Sequence, residues 1–216
     1  SGEVLTEYTI TPPILYNGNL GKDYAYPAEN FSSFRNITFN GGIIIDTKEG
    51  YSAGSAPGRT DIWVIALDSD ATLINGFIYV AYNWDKTNGT IPEWNCTFNE
   101  QHSTAVVSYR DQSNLGKYGK YGYGLVVYDV SELITNGENK FSLSKINDLT
   151  AVYPSTLVAI YNVTKSDNLK TIYMYNGADL LANTNNTLGR TVAANSVLDI
   201  DLVDNIVATN LFVFAG

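Results

Sequence analysis

A single histidine, His102, sets the ceiling on catalysis in this 216-residue chain. Any Ser-His-Asp or Cys-His relay would have to run through it, and a metal site with several histidine ligands is excluded. It lies in Asn99-Glu100-Gln101-His102-Ser103, a polar stretch between strand-like runs, which reads as an exposed loop without a reacting partner. Cys96 is the lone cysteine, so no internal disulfide and no cysteine-built metal site can form. Its setting, Trp94-Asn95-Cys96-Thr97-Phe98, is that of a small buried hydrophobe.

Carboxylates are the more plentiful reagents. Asp199 and Asp201 share one face of a strand-like segment with Asp204 just beyond, and Asp68 and Asp70 precede another strand. Such acids can work as acid and base on a glycosidic bond or, with loop carbonyls, hold Ca²⁺. Among 22 acidic residues such pairs arise readily, so they single out no active site. A structural calcium ion at Asp199, Asp201 and Asp204, or at Asp68 and Asp70, is the one cofactor they suggest. No Gly-rich loop follows a strand to open a helix, which leaves nucleotide binding without support.

The segment with the composition of a recognition loop is Lys117-Tyr118-Gly119-Lys120-Tyr121-Gly122-Tyr123-Gly124. Tyr118, Tyr121 and Tyr123 offer flat amphipathic rings on an adaptable backbone, with Lys117 and Lys120 beside them. The competing reading is structural, with alternate tyrosines simply entering the next strand.

These residues must be positioned by strands. Asn17-Gly18, Asn40-Gly41-Gly42, Asn88-Gly89, Asn136-Gly137 and Asn176-Gly177 read as turns between β-branched and aromatic runs. In Val197-Leu198-Asp199-Ile200-Asp201-Leu202 a period of two puts the aliphatic residues on one face and the acids on the other. Ile206 to Phe214 becomes apolar on both faces, as an inner strand would be. The pattern predicts an all-β, jelly-roll-like β-sandwich of about ten to twelve strands, with Val126, Val158, Ile160, Ile200, Leu202 and Phe212 buried. Residues 1–60 read as an N-terminal strand and loops covering a sandwich formed by 61–216, the two making one structural unit, with a separate small domain over 1–60 as the alternative.

Thirteen basic against 22 acidic residues give a net charge of −9, which repels nucleic acid and anionic membrane surfaces. The apolar runs are too short for membrane insertion as a helix. Six Asn-x-Ser/Thr acceptors, at Asn30, Asn36, Asn88, Asn95, Asn162 and Asn185, compare with roughly four expected by chance and are compatible with glycosylation.

Further resemblance rests on ordered motifs: Val107-Ser108-Tyr109-Arg110-Asp111, Gly122 to Ile134, Gly137 to Leu143, Thr156 to Tyr161 and Tyr173 to Leu181, with Tyr79, Tyr82 and Trp84 earlier. Over residues 60–216 the chain resembles an uncharacterised domain family found in adhesin-like and surface-layer-associated proteins of methanogenic archaea. The resemblance implies an extracellular, cell-surface setting and supplies no catalytic residues. Together these readings describe a non-catalytic module for a cell-surface glycan or a protein of another cell. A structural spacer without a small ligand is the alternative, and a polysaccharide-active enzyme comes after both. Replacing His102 by Ala is therefore expected to leave folding and binding unchanged; a clear loss in a thermal melt or a binding assay would bring catalysis back into consideration.

Overall fold

The Thr-, Tyr- and Val-rich runs form strands, and the described residues contain no helix. The computed structural model describes residues 14–16, 31–86, 92–112, 121–146, 150–165 and 169–178. Eleven strands follow in chain order: β1 (Ile14–Tyr16), β2 (Ser32–Thr47), β3 (Gly58–Ile65), β4 (Ala71–Asp85), β5 (Trp94–Phe98), β6 (Gln101–His102), β7 (Ala105–Gln112), β8 (Gly122–Asp129), β9 (Gly137–Lys145), β10 (Ala151–Val163) and β11 (Leu169–Asn176).

They build an all-β sandwich of two sheets. One has seven strands in the order β1-β7-β8-β4-β10-β2-β11, and the other has four in the order β3-β9-β5-β6. All pairings are antiparallel except β1 with β7. The chain passes from one sheet to the other at six of the ten connections between consecutive strands.

Period-two alternation directs Trp63, Ile65, Cys96, Phe98, Phe141 and Leu143 from the small sheet onto Ile78, Val80, Tyr82, Val126, Tyr128, Leu157 and Ala159 of the large one. The other face of the large sheet carries a second cluster of Phe77, Val107, Tyr109, Val127, Val158 and Met174, flanked by Phe34, Ile37 and Ile43 of β2. Hence β4, β8 and β10 are apolar on both faces, while β3, at the edge of the small sheet, alternates buried and exposed. Val126, Val158 and Ile160 are buried as expected; Ile200, Leu202 and Phe212 lie outside the described residues. Cys96 is buried, donates its thiol proton to Tyr128 Oη at 3.1 Å, and is pushed by burial up to about 12.

Two features depart from the sequence expectation. Asn40-Gly41-Gly42 is no turn: β2 runs through it for 16 residues, pairing with β11 through its first half and β10 through its second. The glycines serve close approach, because a Cβ at Gly41 would meet the Tyr161 carbonyl and one at Gly42 the Tyr161 ring. Part of the segment expected to be loop is thus a long inner strand. His102 is exposed, as expected, but sits in the two-residue strand β6 rather than a loop.

The β5-β6 connection contains only Asn99 and Glu100, with φ of 48° and 67°. This is the two-residue turn whose twist suits a hairpin, and it requires both residues in the left-handed region. Asn tolerates that region; Glu does so at a cost of about 1–2 kcal/mol. Asn99 also earns its place through its side chain, which accepts from the Lys140 N–H at 2.8 Å and donates to Leu133 O at 3.0 Å. Replacing Glu100 by Gly is expected to stabilise the fold by about 0.5 kcal/mol, after the extra unfolded-state freedom of glycine is subtracted, which for this size raises the melting temperature by about 1–2 °C. A lower melting temperature would mean that the Glu100 side chain contributes more than its backbone strain costs.

Candidate functional site

The site lies where β4, β7 and β8 end together, and it begins with an irregularity. In the β4-β8 register Tyr82 faces Gly124 and Asp85 faces Gly122, so three steps on β4 match two on β8. The extra residue makes a β-bulge and brings Tyr82 and Asp85 onto the same face of the sheet. Arg110 of β7, opposite Gly124, reaches along that face and its Nη1 donates to Asp85 Oδ2 at 2.6 Å. Both side chains are almost fully buried, at 2% and 0% exposure.

The glycines of Gly122-x-Gly124 explain how a guanidinium fits there. A Cβ at Gly122 would fall on the Arg110 guanidinium, and one at Gly124 would fall on the Tyr109 carbonyl and the Tyr82 ring. Their role is to leave room beneath a buried ion pair, rather than to make a loop adaptable. Burial pushes the Tyr82 hydroxyl well above the usual tyrosine range, with Arg110 and Ser108 beside it. The Tyr82 ring also packs edge-on against Trp94 at 5.7 Å.

Trp84, inside the bulge, has φ of 58°. A bulky residue in the left-handed region costs about 1–3 kcal/mol and persists only when its neighbours hold it. Here both do. Asp85 is tied to Arg110, and Asn83 donates from Nδ2 to Tyr153 Oη at 2.9 Å. The half-buried Trp84 ring meets the Tyr121 ring at 5.9 Å with 36° between planes, and the exposed Lys86 places Nζ 5.8 Å from the Tyr121 centroid.

Of the sequence candidates, Tyr121 therefore belongs to an aromatic platform with Trp84 and Lys86. Tyr123 is half-buried within β8 opposite Asp111, on the face away from Gly122 and Gly124. Lys117, Tyr118 and Lys120 lie outside the described residues, as do Asp199, Asp201 and Asp204. Asp68 and Asp70 form a turn in which Asp68 O accepts from Ala71 N and Asp70 O from Thr164 N, both at 3.0 Å. No three His, Cys, Asp or Glu side chains come together as metal ligands among the described residues. Asp129 caps the turn after β8, accepting from Ser131 N at 3.0 Å and Ser131 Oγ at 2.6 Å, as an Asp two residues before a turn amide commonly does.

Sequence reasoning missed Asp85, Arg110 and Lys86, and saw Trp84 only as the end of an aromatic run. The available signal was an arginine within a strand, Val107 to Arg110, facing a strand with glycine at alternate positions. Chemically, an ion pair this deep cannot meet a reagent from solvent; it positions the platform above it.

Removing one charge should be worse than removing both. Arg110→Met leaves Asp85 buried without its partner and is expected to cost about 3–5 kcal/mol in denaturant unfolding, whereas the double variant with Asp85→Leu should recover much of that loss. Gly122→Ala should cost about 1–3 kcal/mol through overpacking. A neutral outcome for Gly122→Ala would show that the guanidinium can lie elsewhere.

The profile of a family described as a protein of unknown function, DUF3344, matches residues 16–215, beginning well before residue 60, where the sequence resemblance started. No curated protein matches the chain. With nearly its whole length covered, the chain belongs to the DUF3344 family of proteins of unknown function.

Proposed function

We propose that this domain is a non-catalytic, adhesin-like recognition module of an archaeal cell surface, and that its Trp84–Tyr121 platform binds carbohydrate. The observation that carries this reading is Trp84 itself: a half-buried aromatic ring in a strained backbone conformation, packed at a tilt against a second ring. Strain of this kind gathers where a side chain is held in place for a task. Flat rings receive the apolar face of a sugar, and the neighbouring Lys86 ammonium can donate to hydroxyls or to an acidic substituent.

The net charge of −9 favours the same class of ligand. A polyanion would be repelled at long range, while a neutral or weakly acidic glycan is bound through stacking and hydrogen bonds that need no steering. The resemblance to domains of surface-layer-associated proteins supports the extracellular setting. Exposed Asn36 and Asn95, each in an acceptor pattern, are compatible with it.

Trp84→Gly removes the ring while placing at φ 58° the one residue that adopts it freely, so the bulge should survive. Against a panel of neutral and uronic-acid oligosaccharides, Trp84→Gly and Tyr121→Ala are each expected to weaken the best binder at least tenfold, about 1.4 kcal/mol, at little cost in melting temperature. Binding by folded variants at wild-type strength would place recognition elsewhere. Failure of the wild type to bind any glycan, with retention of a cell-surface protein, would redirect the platform to a protein partner.

A further inference from the structure

The small sheet ends in an edge that other edges of this fold do not resemble. Lys145 N donates to Pro57 O at 2.8 Å, which makes Pro57 and Lys145 a hydrogen-bonded pair of the β3-β9 ladder. Antiparallel pairs alternate, so Arg59, Asp61, Trp63 and Ile65 turn their main-chain groups toward β9. The other strand of the ladder agrees: Lys140, opposite Ile62, turns its carbonyl the opposite way, to Asn99 N at 2.8 Å. Thr60, Ile62 and Val64 therefore direct their N–H and C=O groups out of the sheet, and no described residue hydrogen-bonds to them. Among the described residues the edge is closed only at its start, where Ser52 Oγ donates to Gly58 O at 2.9 Å.

The same three residues carry the exposed side chains of β3. Ile62 is 46% and Val64 75% exposed, while the charges of the strand, Arg59 and Asp61, are turned inward and paired at 2.6 Å. Solvent-facing edges are ordinarily blunted by lysine, proline, a bulge or brevity. The β11 edge has Lys170, and β6 is only two residues long. From Thr60 to Ile65, β3 has none of these and keeps an unbroken register with β9.

We propose that β3 pairs with β3 of a second copy of this chain, antiparallel and two-fold about Ile62, joining the two small sheets into one eight-stranded sheet. The donors and acceptors define the occupant as a β-strand, and the sequence about Ile62 makes β3 its own complement. In this register Ile62 faces its counterpart and Thr60 faces Val64 of the other copy, all as hydrogen-bonded pairs, giving six main-chain hydrogen bonds across the axis. Every side chain brought together on the outer face is neutral and β-branched, the type that packs well across strands. No like charges are placed opposite one another. The nearest outward charges, Lys140 and Glu138, stand one strand further back on each side. The net charge of −9 per copy opposes association at low ionic strength, so pairing strengthens as salt is added.

Sedimentation velocity across a concentration series in moderate salt tests this. The weight-average mass should rise from 23.7 kDa toward twice that value, and backbone amide exchange at Thr60, Ile62 and Val64 should slow at the high-concentration end. Ile62→Lys and Val64→Lys, both at exposed positions, should each abolish the rise. Ile62→Cys should form a covalent dimer on oxidation, since buried Cys96 is unavailable for it. A wild type that stays at 23.7 kDa throughout and an Ile62→Cys chain that does not cross-link would overturn the proposal. So would association that both lysine variants leave intact. Pairing of the edge only with a strand from a different protein would overturn self-recognition.

Discussion

Arg110 and Asp85, 2.6 Å apart and shut between the sheets, impose more on this structure than any other contact. Two charges removed from water repay their desolvation only when each is held against the other in good geometry. That condition reaches into three strands. β8 must present glycine beneath the guanidinium, β7 must place an arginine opposite Gly124, and β4 must gain a residue so that Asp85 turns inward. The bulge follows from the ion pair, and Trp84 is the residue the bulge lifts out. An energetically costly interior thus determines the position of an aromatic surface.

Around this point the large sheet is bound on both faces, which gives its inner strands their continuous apolar character. β10 lies between β4 and β2 and contains Pro154, a residue that a central strand does not accept in regular pairing. The ladder yields there, with a register shift between Val152 and Ser155, and Tyr153 at the shift receives the Asn83 hydrogen bond. Irregularities in adjacent strands are therefore coupled: the break in β10 supplies the partner that holds Asn83, on one side of Trp84, while the ion pair holds Asp85 on the other.

Much of the architecture was legible because it rests on local alternation. β3 and β9 follow their apolar period closely, and Asp129 announces its turn by type and spacing. What escaped rests on partners distant in sequence. Asn40-Gly41-Gly42 has every mark of a turn, and only the carbonyl and ring of Tyr161, about 120 residues away, explain the glycines in an unbroken strand. Gly122 and Gly124 read in the sequence either as adaptable spacers around Tyr123 or as the start of the next strand, and neither reading shows why glycine is needed. Their real constraint comes from Arg110 and Tyr82 on other strands. Of the candidate tyrosines, Tyr121 enters a site because Trp84 comes to meet it, an encounter set by the bulge and by no pattern near Tyr121.

The same coupling bears on how tightly the platform would hold the carbohydrate proposed for it. An aromatic side chain on a free loop loses conformational freedom when a ligand orders it, and that loss is subtracted from whatever stacking contributes. Trp84 gives up part of that freedom on folding: its backbone sits in the left-handed region between Asn83, hydrogen-bonded to Tyr153, and Asp85, paired with Arg110. The strain is drawn from the stability of the domain, where 1–3 kcal/mol is a modest share of the whole. A chain without disulfides can bear that strain because the sandwich beneath it is packed on both faces of its larger sheet. Rigidity at the surface is in this sense a property of the core.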